Sequence, residues 1–394
     1  LFGLGGVAGA ADGPVDKVVD NGNFVNVNRT EASNNPLAAE ISVTQEDTAS
    51  LTVNNSVFQD NKLTLDNTVG SPTAVGIASI GTDVTVNSSR FTNNSATLSN
   101  LQQDANGIYG SAIGVQNANL TVDKSTFDGN SAITGRQTQG SAIYQSGGQI
   151  AVTGSSFTNN VGQNNSASTD GNVTGGAVSL WGVRGTIDGT TFSGNTAVTK
   201  NADDSALVDN IAYGGAVYSR SGIWGGDKAT QLTVSNSTFT GNSVQGGANN
   251  ALGGAIYVKG DTNADADNSF THQLTVQNSK FESNSSTGKG GAIYALNAPV
   301  TISDGSTFTK NTAGNGGGAV YIKNTVNGVG ASTIENATFS ENSVGQGGSA
   351  AALGIANATV NVTGSTFENN TADASAVYVY LSSADGKANN LQRS

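Results

Sequence analysis

Cysteine and methionine are absent from the 394 residues of this chain, histidine occurs once and proline four times. Without cysteine there is no disulfide framework, no thiolate metal site and no cysteine nucleophile. Without methionine there is no initiator, so the chain is expected to be processed or excised from something longer. The length suits about two or three ordinary domains, but proline is scarce and composition does not shift along the chain. No linker is legible, and one elongated domain is the expectation. Charged residues make up only 12%, too few for a disordered acidic chain. Their balance is acidic, at −12, which disfavours general binding of nucleic acid. No apolar run approaches the roughly 18 residues of a membrane-spanning helix, so the chain is expected to be soluble.

The only histidine, His272, lies in a variable stretch, and a Ser-His-Asp site would depend on it alone. No Gly-x-Ser-x-Gly elbow is present, and Gly154-Ser155-Ser156 falls inside the repeat described next. No cofactor is expected.

What is abundant is a repeat. A phenylalanine followed three residues later by an asparagine occurs ten times, from Phe58/Asn61 and Phe91/Asn94 to Phe339/Asn342 and Phe367/Asn370. A Gly-Gly-Ala-Ile/Val-Tyr stretch usually lies upstream. A repeat of this length sets the architecture before any single residue is interpreted. The unit Gly290 to Asn311 holds three short runs with period-two alternation: Ala-Ile-Tyr, Val-Thr-Ile and Thr-Phe-Thr. Period two is the strand signal, and the Gly, Asn, Asp and Ser between the runs are turn residues. No useful stretch has helical periodicity.

Three strands stacked on the same three strands of the next repeat make a parallel β-helix, an all-β fold of ten or more coils. The shortest Phe-to-Phe spacing, from 281 to 308, is 27 residues, which suits one coil. At about 4.8 Å per coil, ten coils make a rod roughly 50 Å long, stabilised by contacts between neighbouring coils. Ile143, Val178, Val217, Ile256, Ile293 and Val320 are expected to point inward from the first strand, and Val122, Val152, Ile187, Val234, Val276 and Ile302 from the second. The Phe rings are expected to stack in the core, and each Asn side chain to bond its neighbour one coil away. The paired glycines fit tight turns rather than phosphate binding. The expected organisation is a signal-peptide remnant or tail over 1–11, an N-terminal cap and first coil over 12–55, repeats over 56–380 and a truncated coil or linker over 381–394. Residues 1–11 are apolar and rich in small residues, like the end of a secretory leader with its cleavage site.

The pairing of GGAI with FxxN, from about Ser56 to Tyr378, resembles the repeat of chlamydial polymorphic outer-membrane proteins and related autotransporter passenger domains. The resemblance implies a right-handed β-helix, secreted and displayed on a Gram-negative surface by a C-terminal membrane barrel. It also implies an adhesin rather than an enzyme, with host glycans or extracellular-matrix proteins as partners. The chain departs from the chlamydial pattern in lacking cysteine, which favours another Gram-negative lineage. Nothing after Tyr378 reads as membrane strands, so a passenger portion is expected.

Function is sought in what varies. Insertions lengthen the link from Asn to Gly-Gly (160–175, 195–214, 242–253) and the link from the first strand to the second (219–231, 258–273, 322–331). Both sets flank the first strand and would wall a groove, and loops carry function more often than scaffold does. The outward column next to the inward Ile/Val reads Tyr144, Ser179, Tyr218, Tyr257, Tyr294, Tyr321 and Tyr378, and two residues further Ser146, Trp181, Arg220, Lys259, Leu296, Lys323 and Tyr380. Aromatic faces suit sugar rings and cations suit sulfate or carboxylate. The expected binding residues are therefore Tyr144, Trp181, Tyr218, Arg220, Tyr257, Lys259, Tyr294, Tyr321 and Lys323, forming a glycan groove, anionic glycosaminoglycans included. The alternative is that the Tyr rings stack to cover the sheet and the loops pack on them. Asp261, Asn263, Asp265 and Asp267 have the spacing of a calcium loop's start, but Ala266 and His272 replace its Gly and Glu, and a solvated acidic loop reads as well. A second acidic loop holds Asp203, Asp204 and Asp209. A β-helical polysaccharide lyase or hydrolase needs clustered carboxylates, and none are evident on adjacent first strands. Self-association of rods through Asn/Thr surfaces is the third reading.

Overall fold

The computed structural model describes residues 13–31, 39–65, 74–98, 107–165, 171–201, 203–222, 229–262, 269–380 and 391–393. Residues 1–11 of the expected leader remnant lie outside them. Among the described residues there are only strands and turns, and the strands stack in parallel into the expected β-helix. One coil runs Ile293–Leu296, Val300–Ser303, Thr307–Thr309, Thr312–Ala313. It then climbs to the next coil, where Val320 pairs with Ile293 and Phe339 with Phe308.

The coil carries more strands than the three expected. A fourth strand follows each FxxN Asn from Asn61 to Asn342, as in Ser95–Leu98 and Thr196–Lys200, and with Asn28–Glu31 these strands form a ten-stranded sheet. A fifth sheet has five strands, Ile108–Tyr109, Gln137–Gln139, Asn172–Thr174, Ile211–Tyr213 and Ala251–Leu252. The fourth strand escapes a hydropathy reading because its inward residues are small, such as Ala96, Ala132 and Ala197, all fully buried. The fifth arises inside segments that read as loops. The fourth and fifth strands enclose two apolar clusters of their own, one around Leu63, Ala96 and Ile108 and one around Val173, Ala197 and Ala212. The coiling starts at Val15–Asp20, which pairs in parallel with Thr48–Asn54.

The core follows the alternation. The inward Ile and Val residues named above are buried in one continuous cluster with the Phe rings. Successive rings, from Phe24 to Phe367, stack with centroids 4.6–4.9 Å apart and near-parallel planes. Free aromatic pairs prefer offset or edge-on contacts. Here the strand spacing of the parallel ladder fixes the separation instead.

Each short Phe strand is bracketed by left-handed residues. Around Phe58 these are Asn55 (φ 49°) and Asp60 (φ 55°), and around Phe339 they are Asn336 (φ 51°) and Glu341 (φ 56°). Asn, Asp and Gly reach this region at least cost, which explains their recurrence at the corners. The corner turns each FxxN Asn inward, where it is fully satisfied. Asn195 Nδ2 donates to Asn242 Oδ1 at 2.9 Å and to Phe157 O at 2.9 Å. Its Oδ1 accepts from Asn160 Nδ2 at 2.8 Å and from Asn160 N at 3.1 Å. The pattern runs from Asn61 to Asn370. A second column escaped the sequence reading. The Ser or Thr two residues before most Phe accepts from the backbone of the preceding coil, as when Ser56 N donates to Ser89 Oγ at 3.1 Å. That hydroxyl also donates to Asn87 O at 2.9 Å.

Candidate ligand-binding face

The first strands form an eleven-stranded sheet whose outward columns carry the candidate residues. In-register pairing stacks them, with Tyr218 opposite Tyr257, Tyr257 opposite Tyr294, and Tyr294 opposite Tyr321. Centroids are 5.4–5.5 Å apart and planes within 11°. The ladder exists as expected, but it is not an open groove floor. Tyr218, Tyr257 and Tyr294 are only 3%, 1% and 4% exposed. The fifth sheet covers them: Tyr213 stacks on Tyr257 at 4.2 Å, and Leu252 joins the same cluster. Upstream, Tyr109 of the fifth sheet leans on Tyr144 at 5.2 Å. The rings therefore fill a corner between two sheets, because strands grew where loops were expected. Burial raises the phenol pKa of Tyr109, Tyr213 and Tyr294, and carries Tyr144 to about 12.

A Chlamydia polymorphic membrane protein repeat model matches residues 278–296 and 305–323. The chain carries repeats of this family. A relative, the "Probable outer membrane protein PmpC" of Chlamydia muridarum (strain MoPn / Nigg), is 32% identical over 155 residues, 36% of this chain. The aligned part is 10% of that protein's length, so the chain spans about a tenth of the relative it matches. No solved structure matches the chain. The two matched polymorphic-membrane-protein repeats hold Phe281/Asn284 with Gly290-Gly291, and Phe308/Asn311 with Gly317-Gly318. Their Asn-to-Gly-Gly links are short, so the fifth sheet runs out there. Its line continues only as single bridges from Leu252 to Lys289, Gly316 and Ser349.

The second outward column is partly open to solvent except at Arg220. Trp181, Lys259, Leu296 and Lys323 are half-buried. Arg220 is 7% exposed, its guanidinium 4.5 Å from the Trp181 ring centroid, so the two act as one stacked unit. Tyr321 is half-buried. The sequence reading missed Lys289, whose ammonium sits 5.1 Å from the Tyr321 centroid. Burial, and secondarily the charge of Lys323, hold its pKa below the usual lysine value. The only hint in the sequence was its place directly before Gly290-Gly291.

Asn263, Asp265 and Asp267 of the calcium candidate lie outside the described residues, and Asp261 begins the short strand Asp261–Thr262. Among the described residues no three His, Cys, Asp or Glu gather as metal ligands. The second acidic loop is knitted internally: Asp203 Oδ1 accepts from Ser205 Oγ at 2.6 Å, and Asp204 pairs with Lys200 at 2.9 Å. His272 is buried, its Nδ1 2.7 Å from Thr230 Oγ1.

Proposed function

We propose that the chain is a surface-displayed stretch of an outer-membrane autotransporter acting as an adhesin, and that its second outward column binds host glycans, anionic ones included. Similarity to an outer membrane protein supports the surface location and a non-enzymatic role. The observation that carries the binding reading is the unbroken register Trp181–Arg220–Lys259–Leu296–Lys323, one residue per coil. It sets one aromatic–cation pair and two further cations along a rigid line, at about 4.8 Å per step. A polymeric ligand lying along such a line makes several weak contacts whose effects multiply. Matrix proteins bearing such chains are partners of the same kind.

The test is binding of heparin fragments to the full chain and to Lys259→Gln/Lys323→Gln. Two lost charge-assisted contacts are expected to weaken binding at least tenfold. Equal affinity of both proteins sinks the reading.

A further inference from the structure

We propose that the outward face of the Phe strands is a self-pairing surface, on which a second copy of this chain docks side by side. The inference is independent of the glycan reading, because the two faces share no residue.

The face is a run of hydroxyls. Ser156–Thr158, Thr191–Ser193, Thr238–Thr240, Thr307–Thr309 and Thr338–Ser340 each bury a central Phe. Alternation turns the residue on either side outward, and all of these are Ser or Thr. One further strand of the run, Lys280–Glu282, carries charge, and its two side chains close on each other at 2.7 Å. The strands pair in unbroken register. Every outward residue among them is half-buried or exposed.

Charge argues for a second copy as the occupant. The chain carries −12, so two copies repel over most of their surface. This face is net neutral. The run ends where single carboxylates appear, at Asp128 in the coil before and Glu368 in the coil after. On the adjoining corner Lys310 and Glu341 also offset each other, at 3.7 Å. Strand propensity favours Val, Ile and Tyr as much as Thr, and an ordinary solvated face carries scattered charge. A face with neither exposed apolar side chains nor net charge is where two acidic rods can approach.

Geometry argues for the same occupant. A hydroxyl both donates and accepts, so the face is complementary to itself. Two copies share one repeat of about 4.8 Å, and their hydroxyl rows meet again at every one-coil step. Six coils span roughly 29 Å, which places the contact at the low end of protein interfaces. One pair of chains therefore holds weakly, and the strength grows with the number of coils engaged.

The experiment is sedimentation of the full chain over a range of concentration and salt. The parent is expected to associate reversibly, and more strongly as salt screens the acidic repulsion. Thr191→Asp/Thr238→Asp sets like charges against each other across the contact and is expected to weaken association at least about tenfold. Lys280→Thr/Glu282→Thr completes the hydroxyl run and is expected to strengthen it. Each variant is checked for an unchanged melting curve; if the Asp variant melts early, the hydroxyl variant and the salt series decide. A parent that stays monomeric overturns the proposal, as does association that salt weakens or that neither variant alters. A monomeric parent that binds crystalline chitin through Thr191 and Thr238 would assign the face to a neutral solid instead.

Discussion

Asn242 shows what one side chain does in this fold. It donates to Phe192 O at 3.0 Å and Asn284 Oδ1 at 2.9 Å, and accepts from the backbone and side chain of Asn195 at 3.1 and 2.9 Å. All of this happens at zero exposure. Asn242→Ala would strand the two Asn195 donors and the Phe192 carbonyl away from water. At about 1–3 kcal/mol per buried unsatisfied group, the variant should lose at least ~3 kcal/mol, read as a lower urea midpoint. A change below ~1 kcal/mol would mean that water or local repacking replaces the amide. The role of this Asn was legible because it recurs at a fixed distance from Phe. The serine column was not, since a hydroxyl among turn residues looks like any surface serine. Lys289 was invisible because the position before Gly-Gly holds no fixed residue type, being Thr174, Tyr213, Leu252, Lys289 and Gly316 in turn.

At the scale of elements, the tyrosine sheet and the fifth sheet behave as a unit. The first, second and Phe strands were legible because each has period-two alternation with bulky inward residues. The fifth strands, such as Gln137–Gln139 and Asn172–Thr174, are short, polar and irregularly spaced. They carried no pattern, and the expected open floor proved to be a closed corner. Its phenols have a consequence for pH. The folded state holds Tyr109, Tyr144, Tyr213 and Tyr294 neutral above the ordinary phenol range. Their contribution is complete below the unfolded value of about 10 and is lost as pH rises through the folded values, about 12 for Tyr144. Alkaline titration by tyrosinate absorbance should show a late-ionising group, with near-ultraviolet dichroism collapsing alongside it. A single ionisation near 10 with the dichroism intact would refute the packing described here.

For the whole molecule, the relevant property is that coils touch mainly their neighbours, so stability is close to a sum over adjacent pairs. Ser285 and Thr312 are register partners, so deleting residues 285–311 removes one complete coil and joins equivalent points. Tyr321 would then stack on Tyr257, Phe339 on Phe281, and Asn342 on Asn284. The shortened chain should fold with the same β-rich dichroism and a rod shorter by about 4.8 Å. An unfolded product would show that this coil carries something its neighbours cannot replace. The rod was legible from its repeat. Its thicker cross-section was not, because the extra strands sit where repeat lengths vary most.

The asparagine column also has a direction. From Asn61 to Asn342 every side-chain amide donates one hydrogen bond to the Asn oxygen of the higher-numbered coil and accepts from the lower one, while its second N–H turns back to a Phe carbonyl of the lower coil. Amide dipoles of about 3.5 D aligned head to tail add as they do in a helix, and low surrounding polarity lets each polarise the next. The buried column is therefore a vector along the rod, electropositive toward Asn370 and electronegative toward Asn61. A negatively charged surface or molecule meets a different potential at each extremity, and two such rods aligned side by side interact differently when they run parallel than when they run opposed.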